Sequence, residues 1–128
     1  MKTNHKLALA VLVGIVIGAG AAAIHAQQAK VAPAYLIGEV EVTDAATFQK
    51  YSAQVPGTLA PFHGHFVVRA GKTQALEGDA PKRIVVIGFD SMEQAQAWYD
   101  SPAYAAIKTI RQSAAKSRLF LAEGAAPQ

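Results

Sequence analysis

A chain of 128 residues has room for one domain of ordinary size and not for two. With 52% hydrophobic and only 16% charged residues it can build a core, which excludes a disordered chain. The lack of cysteine excludes disulfides, thiol catalysis, iron–sulfur clusters and zinc–thiolate sites, whatever the redox compartment.

The first 26 residues read as a leader. Lys2, His5 and Lys6 precede an unbroken Ala- and Gly-rich apolar run from Leu7 to Ile24, which closes on the small-residue exit Ile24-His25-Ala26. A basic start, an apolar middle and a small-residue end are the marks of a secretory signal peptide. The run of residues 7–24 is also near the shortest length that spans a bilayer, so a retained membrane anchor is the alternative. The expected location is accordingly periplasmic or secreted, or else tethered to the inner membrane. Lys2 and Lys6 are two of the 12 basic residues, and without them the balance against 9 acidic residues falls from +3 to +1. The basic pI therefore does not point to nucleic acid, and no Lys/Arg cluster occurs. Residues 27–33 read as a linker, 34–124 as one domain and 125–128 as a tail.

The first strand is predicted over Ala34–Val42, with Leu36, Gly38, Val40 and Val42 on one face and Tyr35, Ile37, Glu39 and Glu41 on the other. Both faces begin apolar, so both should be covered. Asp44 suits a helix N-cap. Phe48, Tyr51, Val55, Leu59 and Phe62 follow as one apolar stripe, with a break or kink expected at Pro56-Gly57, a helix over about 45–54 and a second turn or two after it. His63-Gly64 ends that segment. His65–Ala70 is a predicted strand in which Phe66 and Val68 alternate against His65, Val67 and Arg69, with a bulge or bend at Gly71-Lys72 and Thr73–Leu76 prolonging the arm. Glu77 to Pro81 is a turn, and Arg83–Phe89 is the most β-prone run of the chain. Ser91 with Gln94 forms a capping box, and Ser101-Pro102 a second helix start, so a helix in two pieces is expected over about 91–99 and 102–115. Its buried stripe should be Ala103, Ile107, Ile110 and Ala114, and Arg118–Ala122 the last strand.

The order β-α-β-β-α-β predicts an α+β ferredoxin-like fold, an antiparallel sheet with two helices on one face. Helices on one side leave the second apolar face of the sheet open. A second copy of the same sheet is the simplest cover, so a homodimer is expected.

Five stretches of the domain resemble the family known as domain of unknown function 1330. They are Ala34–Asp44, Gly64–Gly71, Leu76–Ser91, Ala97–Tyr104 and Leu119–Gly124, read in this chain as AYLIGEVEVTD, GHFVVRAG, LEGDAPKRIVVIGFDS, AWYDSPAY and LFLAEG. The resemblance implies the dimeric α/β-barrel superfamily, in which two ferredoxin-like protomers press their sheets together. That superfamily includes cofactor-free monooxygenases, haem enzymes, lactone isomerases and ligand-sensing domains, so it implies no catalytic residue. Two positions depart from the family pattern: Ala70 stands where glycine is usual, and Gly88 where an acid commonly precedes Phe89.

The candidate ligand-binding residues are Tyr35, Glu39, His65, Arg69, Trp98, Tyr99 and Tyr104. His63 and His65 are two apart and with Glu39 could form a metal or haem site, but with no clear third ligand they read better as turn histidines, and neither a metal nor a cofactor is expected. Arg69 and Glu39 are placed on strands expected to be neighbours, where an ion pair would be either a ligand anchor or a structural bridge. Trp98, Tyr99 and Tyr104 cluster at the helix break, as core or as a stacking platform for a flat ligand. Arg111 flanks the buried stripe and could reach a carboxylate in the pocket, but reads better as part of a solvated helix face. No phosphate loop, nucleophile elbow, zinc motif or dinucleotide fingerprint is present.

Three functions fit these residues. One is a small-molecule-binding domain with a pocket lined by Tyr35, Glu39, Arg69 and Trp98. Another is a cofactor-independent oxygenase or isomerase using Tyr99 or His65 as acid or base. The third is a structural dimer of the envelope. The first two call for a cavity of roughly 300 Å³ or more, the third for a closed interior.

Overall fold

A computed structural model describes residues 31–126, and the folded domain is Ala32–Ala126. The leader and the last two residues lie outside the described residues. The elements in chain order are β1 (Ala34–Val42), α1 (Ala45–Leu59) running into a 3-10 turn at Ala60–Phe62, β2 (His65–Arg69), β3 (Ile84–Phe89), α2 (Met92–Tyr99), α3 (Pro102–Ala114) and β4 (Ala115–Glu123). The strands form one antiparallel sheet in the order β2-β3-β1-β4, the ferredoxin-like arrangement, with three helices rather than two.

Each helix starts where its cap says it should. Asp44 accepts from the amide of Thr47 at 3.2 Å and from its hydroxyl at 2.7 Å, and these bonds, the hydroxyl's first, hold its carboxyl below the usual carboxylate value. Ser91 accepts from Gln94 N and Ser101 from Tyr104 N, each at 3.2 Å. The stripe Phe48, Tyr51, Val55 and Leu59 is buried as expected. On α3 the buried residues are Tyr104, Ile107, Arg111 and Ala114, one step round from the expected set; Ala103 is exposed. Both sets have helical spacing, and the apolar one was the misleading choice because the fold buries a guanidinium.

The expected break at Pro56 does not occur: α1 continues through it to Leu59. Proline lacks the N–H that would bond the carbonyl four residues back, which is Ser52. Arg69 Nη2 donates to Ser52 O at 3.1 Å instead. A side chain from the neighbouring strand thus replaces the missing backbone donor.

Arg69 reaches that carbonyl because of a bulge. Phe66 pairs with Ile87 and Val68 with Val86, so Val67 is the extra residue of β2. The bulge lies inside the strand and not at Gly71-Lys72 as expected. It interrupts the alternation, so that His65, Val67 and Val68 share the open face with Gly88 and Val86, while Phe66 and Arg69 turn toward the helices. Residues 73–76 do not extend the strand; Ala70 to Arg83 is an irregular loop in which Thr73 Oγ1 donates to Pro81 O at 3.0 Å.

The order of strands also corrects an expected pairing. β2 pairs only with β3, so β1 and β2 are not neighbours. Glu39 lies opposite Arg118 on β4 and pairs with it at 2.9 Å, well away from Arg69.

The core fills the helix side: Leu36, Val40, Ile87 and Phe89 from the sheet against Phe48, Val55, Leu59, Trp98, Tyr104 and Ile107. Among the described residues no helix lies against the other face. It carries Tyr35, Ile37, Ile84, Val86, Val67, Val68 and Phe120, with Val67 53% and Phe120 43% exposed. The two apolar faces read from β1 are both present, and one of them stays open in the protomer.

Ala70 has φ of 56°, the left-handed region that a Cβ disfavours. A glycine there would relieve it. Ala70→Gly is therefore expected to stabilise the fold by about 0.5–1 kcal/mol, the relieved strain exceeding the entropy added to the unfolded chain. Denaturant unfolding of the two proteins checks this, and a lower midpoint for the variant would contradict it.

Candidate functional site

Between α1 and the sheet lies a cavity of ≈ 40 Å³. Its sheet wall is Leu36, Val40, Phe66, Val85, Ile87 and Leu119; the helices supply Phe48, Tyr51, Ser52, Val55, Trp98, Tyr104 and Arg111; Arg69 and Arg83 complete the lining. The volume is far below roughly 300 Å³ and accepts a head group or a few waters, not a whole organic molecule. Two surface clefts adjoin it. One of ≈ 400 Å³ between α1 and β1 also has Phe48, Ser52 and Arg83 in its lining. A second of ≈ 380 Å³ shares Arg111 and Leu119 and is lined otherwise by Tyr99, Gln112, Ala115 and Ser117.

The aromatic wall is packed ring on ring. Trp98 sits 4.2 Å from Tyr104 and 5.7 Å from Phe89 between centroids. Trp98 Nε1 donates to Thr58 Oγ1 at 3.0 Å, and Thr58 in turn donates to Val55 O at 2.7 Å, so the indole is held by a satisfied buried chain. The hydroxyls of Tyr51 and Tyr104 lie 2.8 Å apart, both buried. Burial, with Tyr104 beside it, pushes the Tyr51 phenol well above its ordinary value, and Arg111 offsets this only in part. Tyr51 is therefore a hydrogen-bond donor or acceptor and not a base.

Three guanidinium groups converge at graded depth. Arg111 is 6% exposed; Arg83 is half-buried with its guanidinium 4.9 Å from the Phe48 ring; Arg69 is at the rim, 4.3 Å above Phe66. The Nε atoms of Arg83 and Arg111 are buried without a hydrogen-bond partner. No Asp, Glu or His lines the cavity. Among the described residues the ion pairs are His63–Asp90, Lys82–Glu41 and Arg118–Glu39, none of which involves these arginines.

The residues singled out from sequence fall on two sides of the sheet. Arg69, Trp98 and Tyr104 line the cavity. Tyr99 stands outside it, in the clefts beside α2, its ring 5.5 Å from Tyr104 and covered by Lys108 Nζ at 4.4 Å. Tyr35, Glu39 and His65 are on the open face, so the pocket of Tyr35, Glu39, Arg69 and Trp98 is not assembled: odd and even positions of β1 face opposite ways. His65 lies over Gly88, where an added Cβ would be 2.7 Å from its Nε2, so the glycine makes room for this imidazole. His63 pairs with exposed Asp90 at 3.3 Å. Among the described residues no three His, Cys, Asp or Glu are placed to hold a metal ion. Tyr51 and Arg83 were missed as site residues, and Arg111 was passed over for a solvated helix face. Tyr51 lies in the apolar stripe of α1, and Arg111 is four residues from Ile107 and three from Ala114, the signal that could have placed it inside.

A four-stranded antiparallel sheet backed by helices on one face, with a cationic, aromatic-walled cavity between them, defines this as a ferredoxin-like α+β domain with an interior site. Residues 33–125 match the family described as domain of unknown function (DUF1330), and the chain belongs to that family. No curated protein matches the chain significantly. Similar solved structures include RPA0582, a protein of unknown function from Rhodopseudomonas palustris, at 16% identity and TM-score 0.63 over 81% of this chain and 93% of that one. SnoaB from Streptomyces nogalater, a cofactor-independent oxygenase, is similar at 20% identity and TM-score 0.53 over 77% and 96%. A dimeric ferredoxin-like protein of unknown function from Thermobifida fusca is 17% identical over 73% and 92%, with TM-score 0.45.

The buried phenol sets a pH limit. Because folding raises the Tyr51 pKa, its neutral form adds stability that is complete below pH 10.0, the ordinary phenol value, and is lost as pH rises above it. Tyr51→Phe is expected to flatten the alkaline limb of stability between pH 9 and 11, measured by urea unfolding. An unchanged slope would contradict this assignment.

Proposed function

We propose that the mature protein is an exported homodimer that binds a small organic molecule at the helix side of its sheet. The observation that supports the binding reading is the chemistry of the cavity lining, an aromatic and aliphatic wall with convergent polar groups; at ≈ 40 Å³ it takes a head group, and the body of a ligand would have to lie in the adjoining cleft. Its lining offers donors and no ordinary base, which favours holding a ligand over abstracting a proton. An oxygenase or isomerase reaction on the same ligand is the second reading, favoured by the fold shared with SnoaB.

The dimer is supported by the open sheet face. Isolated exposed apolar residues are commonplace, but a contiguous apolar face is a site for a partner. Val67 and Phe120 both stand on it, and the loop leaving the same sheet carries Leu76 at 90% exposure. A second copy offers the same face and closes by two-fold symmetry. Export is supported by the basic, apolar and small-residue sequence of residues 1–26.

Native mass spectrometry of protein purified from its own envelope fraction tests all three. The expected species is a dimer of chains lacking about the first 26 residues, with a retained small-molecule adduct. A full-length chain would favour the anchor, a monomer would remove the dimer, and ligand-free protein that takes up nothing from the envelope extract would remove the binding reading. Phe120→Glu is expected to give a folded monomer by sedimentation at micromolar concentration, because it puts a charge on the open face without touching the core.

A further inference from the structure

We propose that the cavity is an anion site which takes the carboxylate of a small organic acid, with the apolar body of that acid in the cleft beyond Arg83. This rests on the ligand-binding reading and gives it a substrate class.

Arginine stays charged at every physiological pH, and a buried charge is tolerated when it is paired or well hydrogen-bonded. Arg111 is 6% exposed and faces the cavity with its Nε unpartnered. Arg83 points a second buried and unpartnered Nε into the same space. The chain has 9 acidic residues, and none of them lines the cavity. The negative partner of this site is therefore not supplied by the lining. The positive charge of Arg111 acts on the Tyr51 phenol, favouring its ionised form. The tyrosine pair adds to the donor set: two hydroxyls 2.8 Å apart carry two protons, their mutual bond uses one, and the other can be donated to an anion.

A planar carboxylate suits the site better than a phosphate. At ≈ 40 Å³ the interior accepts a head group of three heavy atoms, and guanidinium groups bind carboxylates through paired N–H bonds. Of the remaining wall, Val40, Val85 and Leu119 offer only apolar surface, while Arg69 already donates to Ser52 O. The cleft that shares Phe48, Ser52 and Arg83 adds Val42, Ala45 and Gln49, so a small aryl or alkyl body would lie on Val42, Ala45 and Phe48 with a polar rim. The cleft beside Tyr99 is lined by Gln112 and Ser117 and is the more polar exit.

Trp98 is the one tryptophan and lines the cavity, so its fluorescence reports occupancy. The probes are phenylacetate, its neutral amide phenylacetamide, and inorganic phosphate, titrated at pH 7 into the purified protein. Phenylacetate is expected to give a saturable change, and phenylacetamide to bind about 10- to 100-fold more weakly, the ratio for losing a charge-assisted bond. Arg111→Gln is expected to weaken phenylacetate by a similar factor. Arg83→Gln, at a half-buried position where folding is less at risk, should do the same. Equal affinity for acid and amide overturns the anion site while leaving the binding reading intact. Phosphate binding without phenylacetate binding overturns the carboxylate and its apolar body. Binding of none of the three overturns the proposal, and the adduct in native mass spectrometry then judges the broader reading separately.

Discussion

The hydrogen bond from Arg69 to the carbonyl of Ser52 ties the edge of the sheet to the middle of α1. Pro56 removes the normal partner of that carbonyl, and a bulge at Val67 turns Arg69 toward it. Either feature alone would be a defect: an unbonded carbonyl in mid-helix, or a strand with its alternation broken. Together they satisfy each other, and both residues of the tie line the cavity between helix and sheet.

Charge is arranged differently on the two sides of the sheet. On the open face the charged groups are matched, Glu39 with Arg118 and Glu41 with Lys82, in exposed pairs that contribute little to stability. On the helix side, three arginines meet no carboxylate. Matched charge around an apolar patch suits a surface that meets its own copy, while unmatched charge in an aromatic-walled hollow suits a site that waits for an anion. The neutral tyrosine pair fits the second description, because it supplies hydrogen bonds without competing as a negative group. These opposite requirements can coexist in a small domain because a sheet separates them by its own thickness.

Much of the fold was legible from local chemistry. Asp44, Ser91 and Ser101 mark helix starts because their side chains satisfy amides that no helix can satisfy for itself. The order of elements and the two apolar faces of β1 followed from period and composition. The site was less legible, for particular reasons. Arg111 is a charged residue on a buried stripe, and a stripe read by apolarity passes to Ala103 and Ile110. Arg69 was assigned to the wrong face because alternation was carried through a bulge that no glycine announces. Glu39 was matched to Arg69 because adjacency in a split topology was misjudged; in the order β2-β3-β1-β4 a whole strand lies between them.

What the sequence determined by itself is what depends on neighbours along the chain: caps, periods, the antiparallel α+β order and the membership of a family. What only the tertiary structure decided is which side chains meet. Tyr51 and Tyr104 are 53 residues apart, and Trp98 and Thr58 are 40 apart. Their contacts depend on the packing of α1 against α2 and α3 over the sheet, a through-space geometry that spacing does not encode. The same packing placed Arg111 in the interior, where the lost solvation of a guanidinium turns an ordinary helical residue into the centre of a site.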